Sequence, residues 1–205
     1  MSKFIISAGH RKGEGANSNG LNEGTLTIAV RDELKKLYPS ALYVPDNFDF
    51  NQTINFAVQN AKRDDIALDI HFNFNVNSSV KGTEAYYSDA KDLAVIFAER
   101  VSKELGTLNR GAIHEKYSYY GRLGFLHLPC KGVIIEGCYL TNFEDRQKLD
   151  VVKIARGIYN AIILLSPNVA SPFIPVQPLP KPNDTVSLDV LKKIIDLLKF
   201  LKLWR

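Results

Sequence analysis

Cysteine is scarce in this 205-residue chain, with only Cys130 and Cys138 present. Both lie in apolar stretches where small buried thiols are common. No disulfide framework is expected, which fits synthesis in a reducing compartment. Long apolar runs are also missing: no eighteen consecutive apolar residues occur, so no spanning helix is expected. The opening MSKFIISAGHRKGEG holds an apolar run too short for the core of a signal peptide. The expectation is a protein made soluble inside a cell. Excess charge is small, +4 formally, and it is localised: Lys192, Lys193, Lys199, Lys202 and Arg205 face only Asp189 and Asp196, so three of those charges fall within 188–205. A basic surface confined to one segment is poor support for nucleic-acid binding.

The 45% apolar content is ample for one buried core. Phe4-Ile5-Ile6, Ala41–Val44, Ile66–Ile70, Thr83–Tyr87 and Val133-Ile134-Ile135 read as strands. Residues 25–37, 52–63, 89–105 and 143–165 carry apolar groups at helical spacing, and Pro39 stops the first of these helices. Residues 11–22, rich in glycine and asparagine, read as a loop. Alternating strands and helices, with fully apolar runs such as VII, predict an α/β fold: a single twisted, mostly parallel sheet with helices on both faces.

Six of the nine prolines fall in 166–187. Such a segment favours an extended, semi-rigid spacer. Beyond it, Leu188, Leu191, Ile194, Leu198 and Leu201 share one side of an eighteen-residue helical pattern, with lysines opposite and Trp204 near the end. A cationic amphipathic helix of this kind suits an anionic membrane or lipopolysaccharide, although the same face could dock on protein. The expected organisation is a domain over 1–165, a linker over 166–187 and a helix over 188–205.

Chemistry-bearing residues collect at expected strand ends. His10 follows the first strand, His71 the third, and Glu136 the VII strand, while Glu23 opens a helix after the glycine-rich loop. Carboxyl ends of strands are where sites gather in open α/β sheets. Two imidazoles and one carboxylate suit zinc with one position open, and a second glutamate suits a general base. On spacing alone, such histidines are more often surface or satisfied core residues than ligands.

At these residues the chain resembles the zinc-dependent N-acetylmuramoyl-L-alanine amidases. SAGH at 7–10, DIALDIHFN at 65–73, GTEAYY at 82–87 and VIIEGCYLTN at 133–142 match the family pattern in order, across about residues 3–165. Ser7, Asp69 and Cys138 depart from the usual aspartate, serine and glycine. The resemblance implies that His10, Glu23 and His71 hold Zn²⁺, that Glu136 is the catalytic acid-base, and that peptidoglycan is the partner. It implies cleavage of the amide between the muramoyl lactyl group and L-alanine. With no signal sequence expected, the reading is a phage- or prophage-type lytic enzyme, made in the host cytoplasm and acting on the wall after release. A bacterial autolysin, a zinc peptidase on the stem peptide, and a membrane-active protein with an inert amidase-like domain are the alternatives. His114 and His127 are expected to be structural, His127 also standing near the cleft. Asn73 and Asn142 are expected to fix backbone, and Tyr117, Tyr119 and Tyr120 are candidates for a substrate wall beside Arg110 and Arg122.

Overall fold

Most apolar runs become strands and most periodic stretches become helices in the computed structural model of the chain, which describes residues 2–166. In chain order these are β1 (Phe4–Ala8), β2 (Asn17–Ser18), β3 (Leu21–Asn22), α1 (Glu23–Leu37), β4 (Leu42–Tyr43), α2 (Phe50–Asn60), β5 (Ile66–Asn73) and β6 (Thr83–Tyr87). Then follow α3 (Lys91–Leu105), β7 (Asn109–His114), two short 3₁₀ turns (Glu115–Tyr117 and Gly124–His127), β8 (Lys131–Tyr139), α4 (Phe143–Lys148) and α5 (Val151–Leu165). The linker and helix expected beyond residue 166 lie outside the described residues. Among the described residues no helix is long and apolar enough to cross a membrane.

Six strands form one sheet in the order β4-β1-β5-β8-β6-β7. Its pairs are parallel except β6–β8, which is antiparallel. The sheet is covered on both faces. Phe4 and Ile6, Leu68 and Ile70, and Val133 and Ile135 meet buried residues of α1, α3 and α5 in the larger core. Ile5, Ala67 and Ile134, one residue out of phase, meet Ala57 of α2 and the Phe125–Leu128 segment in the smaller one. Period-two alternation thus assigns successive residues to opposite faces.

Local chemistry sets the element ends. Asn22 caps α1 by accepting from the Thr25 N–H at 2.9 Å. Asp49 and Gln52 form a capping box that starts α2 at Phe50. Gly106, at φ 76°, ends α3 in the left-handed conformation that glycine adopts without strain. The single helix expected over 143–165 is broken in two, because Asp150 turns its side chain onto the N–H groups of Val152 and Lys153 and starts α5 afresh. The expected loop 11–22 contains the β2–β3 hairpin, turned at Asn19 (φ 52°) and Gly20 (φ 78°). That Asn-Gly pair is the residue choice a tight hairpin turn requires. The edge strand β7 was not among the expected strands, since NRGAIH has only two apolar members.

Candidate active site

The alternation that builds the two cores also builds the site. On the face of the smaller core, β5 places Asp69 and His71 beyond Ala67, and β8 places Glu136 beyond Ile134. His71 and Glu136 are direct cross-strand partners, and Glu84 of β6 partners Glu136 from the other side. His10 follows β1, held beside β5 by the Gly9 N–H donating to the Ile70 carbonyl at 2.9 Å.

Glu23 is brought to the same place by the hairpin excursion. The Glu23 N–H donates to the Ala16 carbonyl at 2.9 Å and the Gly24 N–H to that of Glu14 at 3.0 Å. Its carboxylate then accepts from the N–H of Ala16 at 2.8 Å and of Phe72 at 3.1 Å. Gly15 makes this possible: its φ is 77°, and a Cβ there would lie 2.7 Å from both Glu23 Oε2 and His10 Cδ2. A Cβ on Gly9 would lie 2.0 Å from His71 Nε2.

The structure therefore brings His10, Glu23 and His71 together. One ligand atom from each lies within 4.8 Å of the others, in an arrangement that could hold a metal ion. Glu23 stands 3.4 Å from His10 Nε2 and 3.0 Å from His71 Nδ1. The other His71 nitrogen, Nε2, is 3.0 Å from Asp69 Oδ2. With a carboxylate at each nitrogen, a doubly protonated ring satisfies both contacts. A cation at the trio would take the place of the Nδ1 proton and leave Nε2–H on Asp69, which is how outer carboxylates orient ligating imidazoles.

Electrostatics follow from this packing. Burial lowers the His71 pKa, but Asp69 and Glu23 outweigh it and hold the ring well above an ordinary imidazole. Burial, helped by the charge of His71, pushes His10 down. Burial raises Glu23, yet the hydrogen bond and charge of His71, with His10 adding, hold it below the usual carboxylate range. Burial is the first cause that pushes Glu136 up to about 8; Glu23, Glu84 and Asp69 add to it and His71 opposes. Glu136 Oε2 is buried without a hydrogen-bond partner among the described residues.

The donor set fits a catalytic zinc: two histidines and a glutamate, with room for a fourth position, glycines where side chains would collide with the trio, and an unpartnered carboxylate oxygen on the adjoining strand.

Behind Glu136, the buried Glu84 accepts from Asn73 Nδ2 at 2.8 Å, from the hydroxyls of Tyr86 and Tyr139 at 2.9 and 3.1 Å, and from Arg110 Nε. Asp145 accepts from the N–H groups of Gly82 and Tyr139 at 2.7 and 2.9 Å, clamping β6 to β8. Asn142 caps α4 and donates to the Ser78 carbonyl at 2.7 Å. His127 Nε2 is 2.8 Å from Glu115, and His114 caps the turn at Glu115; neither belongs to the trio. Arg110 is engaged with Glu84, so of the two arginines placed near the tyrosines it is Arg122 that lines the cleft with Tyr120.

Two cavities, of about 830 and 540 Å³, flank the histidine pair and share His10, His71, Tyr120, Leu123 and Ile134. The larger holds Glu23 and Glu136 and runs to Asn73, Asn75, Tyr86 and Tyr119. The smaller runs from Asp69 to Phe48, Phe50, Phe125 and Arg122. Sequence reading had no place for Glu84 or for Asp69 as partner of His71, although IALDIHFN and TEAYY carry both in phase with the site face.

Fold and site together describe an open, mostly parallel α/β sheet with a His-Glu-His trio at one edge that could hold a metal ion. The N-acetylmuramoyl-L-alanine amidase family (Amidase_3) matches residues 4–164, and the chain belongs to it. It is 30% identical over 160 residues to N-acetylmuramoyl-L-alanine amidase LytC of Bacillus subtilis (strain 168), an alignment that takes in 71% of this chain and 31% of that protein. The chain thus spans about a third of the length of that relative. Among solved structures it is similar to the catalytic domain of the amidase CwlV from Bacillus (Paenibacillus) polymyxa var. colistinus, with TM-score 0.67, 23% identity and coverage of 80% of this chain and 98% of that one. The amidase AmiC2 of Nostoc punctiforme gives TM-score 0.65 at 23% identity, covering 80% and 96%.

Proposed function

We propose that the chain is a zinc-dependent amidase that hydrolyses the bond between the lactyl group of N-acetylmuramic acid and L-alanine in peptidoglycan. The observation that carries this reading is the His10–Glu23–His71 trio with Glu136 on the adjoining strand. His10, Glu23 and His71 would hold the ion. Zinc, when bound, supplies Lewis acidity at the amide and a nucleophilic water at neutral pH.

Glu136 takes one proton from the attacking water and returns it to the amide nitrogen as the C–N bond breaks. A buried carboxyl group with one oxygen free of protein partners can serve both directions of that transfer. Oxygen ends on the lactyl carboxylate, and the proton on the freed amine of L-alanine. Asp69 and Gly9 fix the His71 ring, Ala16 and Phe72 fix Glu23, and the Glu84 network holds the strand beside Glu136. Digestion of purified peptidoglycan should expose new L-alanine amino termini and leave the glycan intact. New termini elsewhere in the stem peptide would show a peptidase instead.

The same reading divides the chain into a catalytic domain over 1–165, a proline-rich linker over 166–187 and an envelope-active helix over 188–205, in a lytic enzyme of phage or prophage type that reaches the wall after release. Its support is the cationic amphipathic pattern of the last eighteen residues. Binding of the full chain to phosphatidylglycerol vesicles should fall when Leu198 and Trp204 are replaced by glutamate. Unchanged binding would remove the membrane role.

A further inference from the structure

Resting on that reading, we infer that the groove has a fixed direction: the stem peptide lies along the larger arm, past Glu136, and the glycan lies along the smaller arm, against Phe48 and Phe50. Two independent observations carry this.

The first is strand order. The sheet runs β1, β5, β8, β6, so His10, His71, Glu136 and Tyr86 follow one another across it. The trio stands at β1 and β5 and Glu136 one strand further on. An amide reacting there places its carbonyl carbon by the trio, while its nitrogen must come within reach of Glu136 to receive the proton. The nitrogen side of the bond carries the peptide. It therefore continues toward β6, into the arm that holds Asn73, Asn75 and Tyr86. The acyl side carries the sugar and leaves the opposite way, over His10 toward α2.

The second is the chemistry of the arms. The larger arm offers an amide and a hydroxyl beside the exposed Phe74 and Val76: Asn75 is half-buried, and Tyr119, 97% exposed, stands on the rim edge-on to Tyr120 with ring centroids 5.2 Å apart. Such groups suit the alternating donors and acceptors of a peptide. The smaller arm offers ring faces. Phe50 is 58% exposed although its ring lies against Gly124, where a Cβ would come within 2.8 Å of it. The Asp49–Gln52 capping box fixes Phe50 at the first position of α2, and Phe48 is braced edge-on against Phe56 at 5.9 Å. Apolar, rigid aromatic surface beside a polar site is what the C–H face of a pyranose ring covers well. Arg122, exposed on the same arm, adds donors for sugar oxygens.

The test uses the full-length enzyme with Phe50→Ala and Tyr119→Ala, both exposed positions. Each is assayed on a disaccharide–tripeptide muropeptide, on one shortened to a single muramoyl sugar, and on one shortened to a dipeptide. Phe50→Ala should lower kcat/KM about tenfold on the full substrate, and that loss should disappear when the outer sugar is absent. The Tyr119→Ala loss should instead disappear when the stem is shortened. Binding of the two products gives a readout that needs no turnover: Tyr119→Ala should weaken the free tripeptide alone, and Phe50→Ala the free disaccharide alone. Exchange of the two dependences, or losses insensitive to either shortening, overturns the direction while leaving the amidase reading intact. A chain that cleaves no muropeptide, yet binds the two products as described, would fault the amidase reading instead.

Discussion

Ile135 and Glu136 are neighbours on one strand and serve opposite sides of one sheet. Ile135 is fully buried in the larger core, on the face that α1, α3 and α5 cover with apolar side chains. Glu136 stands on the face that is apolar only in its lower half, where Ile5, Ala67 and Ile134 pack; its upper half carries Asp69, His71, Glu136 and Glu84. The comparison teaches how a small α/β domain tolerates four ionisable groups on three adjoining strands. One face supplies the packing that orders the strands, and the other uses that order to hold carboxylates that repel one another, and a histidine that attracts them, where burial is unfavourable.

If that division holds, damage to the two faces should differ in kind. The largest effect is expected on the site face. His10→Ala should weaken zinc binding by more than about a hundredfold, because even outer partners of a ligand are worth about 10–100-fold. Its thermal unfolding after chelation should stay close to that of the unaltered chain. On the packed face, Ile135→Ala should cost about 2–5 kcal/mol by denaturant unfolding, with one zinc still bound per folded chain. A matching loss of stability in His10→Ala would erase the distinction.

Asp69→Asn sharpens the comparison, because it alters a buried group that touches only a ligand's far side. Zinc affinity measured by chelator competition should fall about 10–100-fold, while Ser7 and the strand pairing around it remain. Equal affinity would mean that the Asp69 contact leaves His71 unaided.

A further effect is one of pH. A carboxyl whose pKa rises from 4.5 to about 8 on folding keeps a proton that the unfolded chain has lost. The folded state then binds more protons across that interval, so stability of the chelated protein should fall as pH rises from about 4.5 to about 8. The raised His71 pKa acts in the same sense, its contribution being lost as pH climbs through the folded value. Glu136→Gln should flatten the Glu136 part of that slope, and a slope unchanged by it would place the titration elsewhere.

How much of this was legible in the sequence depended on distance along the chain. The strands FII, IALDI and VII were plain because each is a fully apolar run, and the α/β class with helices on both faces followed from them. His10, Glu23 and His71 were nameable, and so was a glycine-rich excursion returning Glu23 to His10; what holds that return, the Glu23 and Gly24 N–H groups donating to the carbonyls of Ala16 and Glu14 and the positive φ of Gly15, was not. Asn19-Gly20 carried the hairpin signal and was absorbed into a loop. The break at Asp150 was hidden because apolar spacing continues across it, while one side chain competes for the backbone N–H groups. β7 was invisible because NRGAIH, an edge strand, needs apolar groups on only part of its length. Pairing His71 with Asp69 follows from alternation within one strand; pairing Glu84 with Glu136 needs the antiparallel placement of β6, which no local pattern announces.

The most direct test of the central claim is muropeptide analysis of wall digests by the unaltered protein and by Glu136→Ala, with zinc content measured on both. The account predicts new L-alanine amino termini with the first and their loss by about a thousandfold with the second, at unchanged zinc stoichiometry. Full wall cleavage by Glu136→Ala, or termini at any other bond, would contradict it.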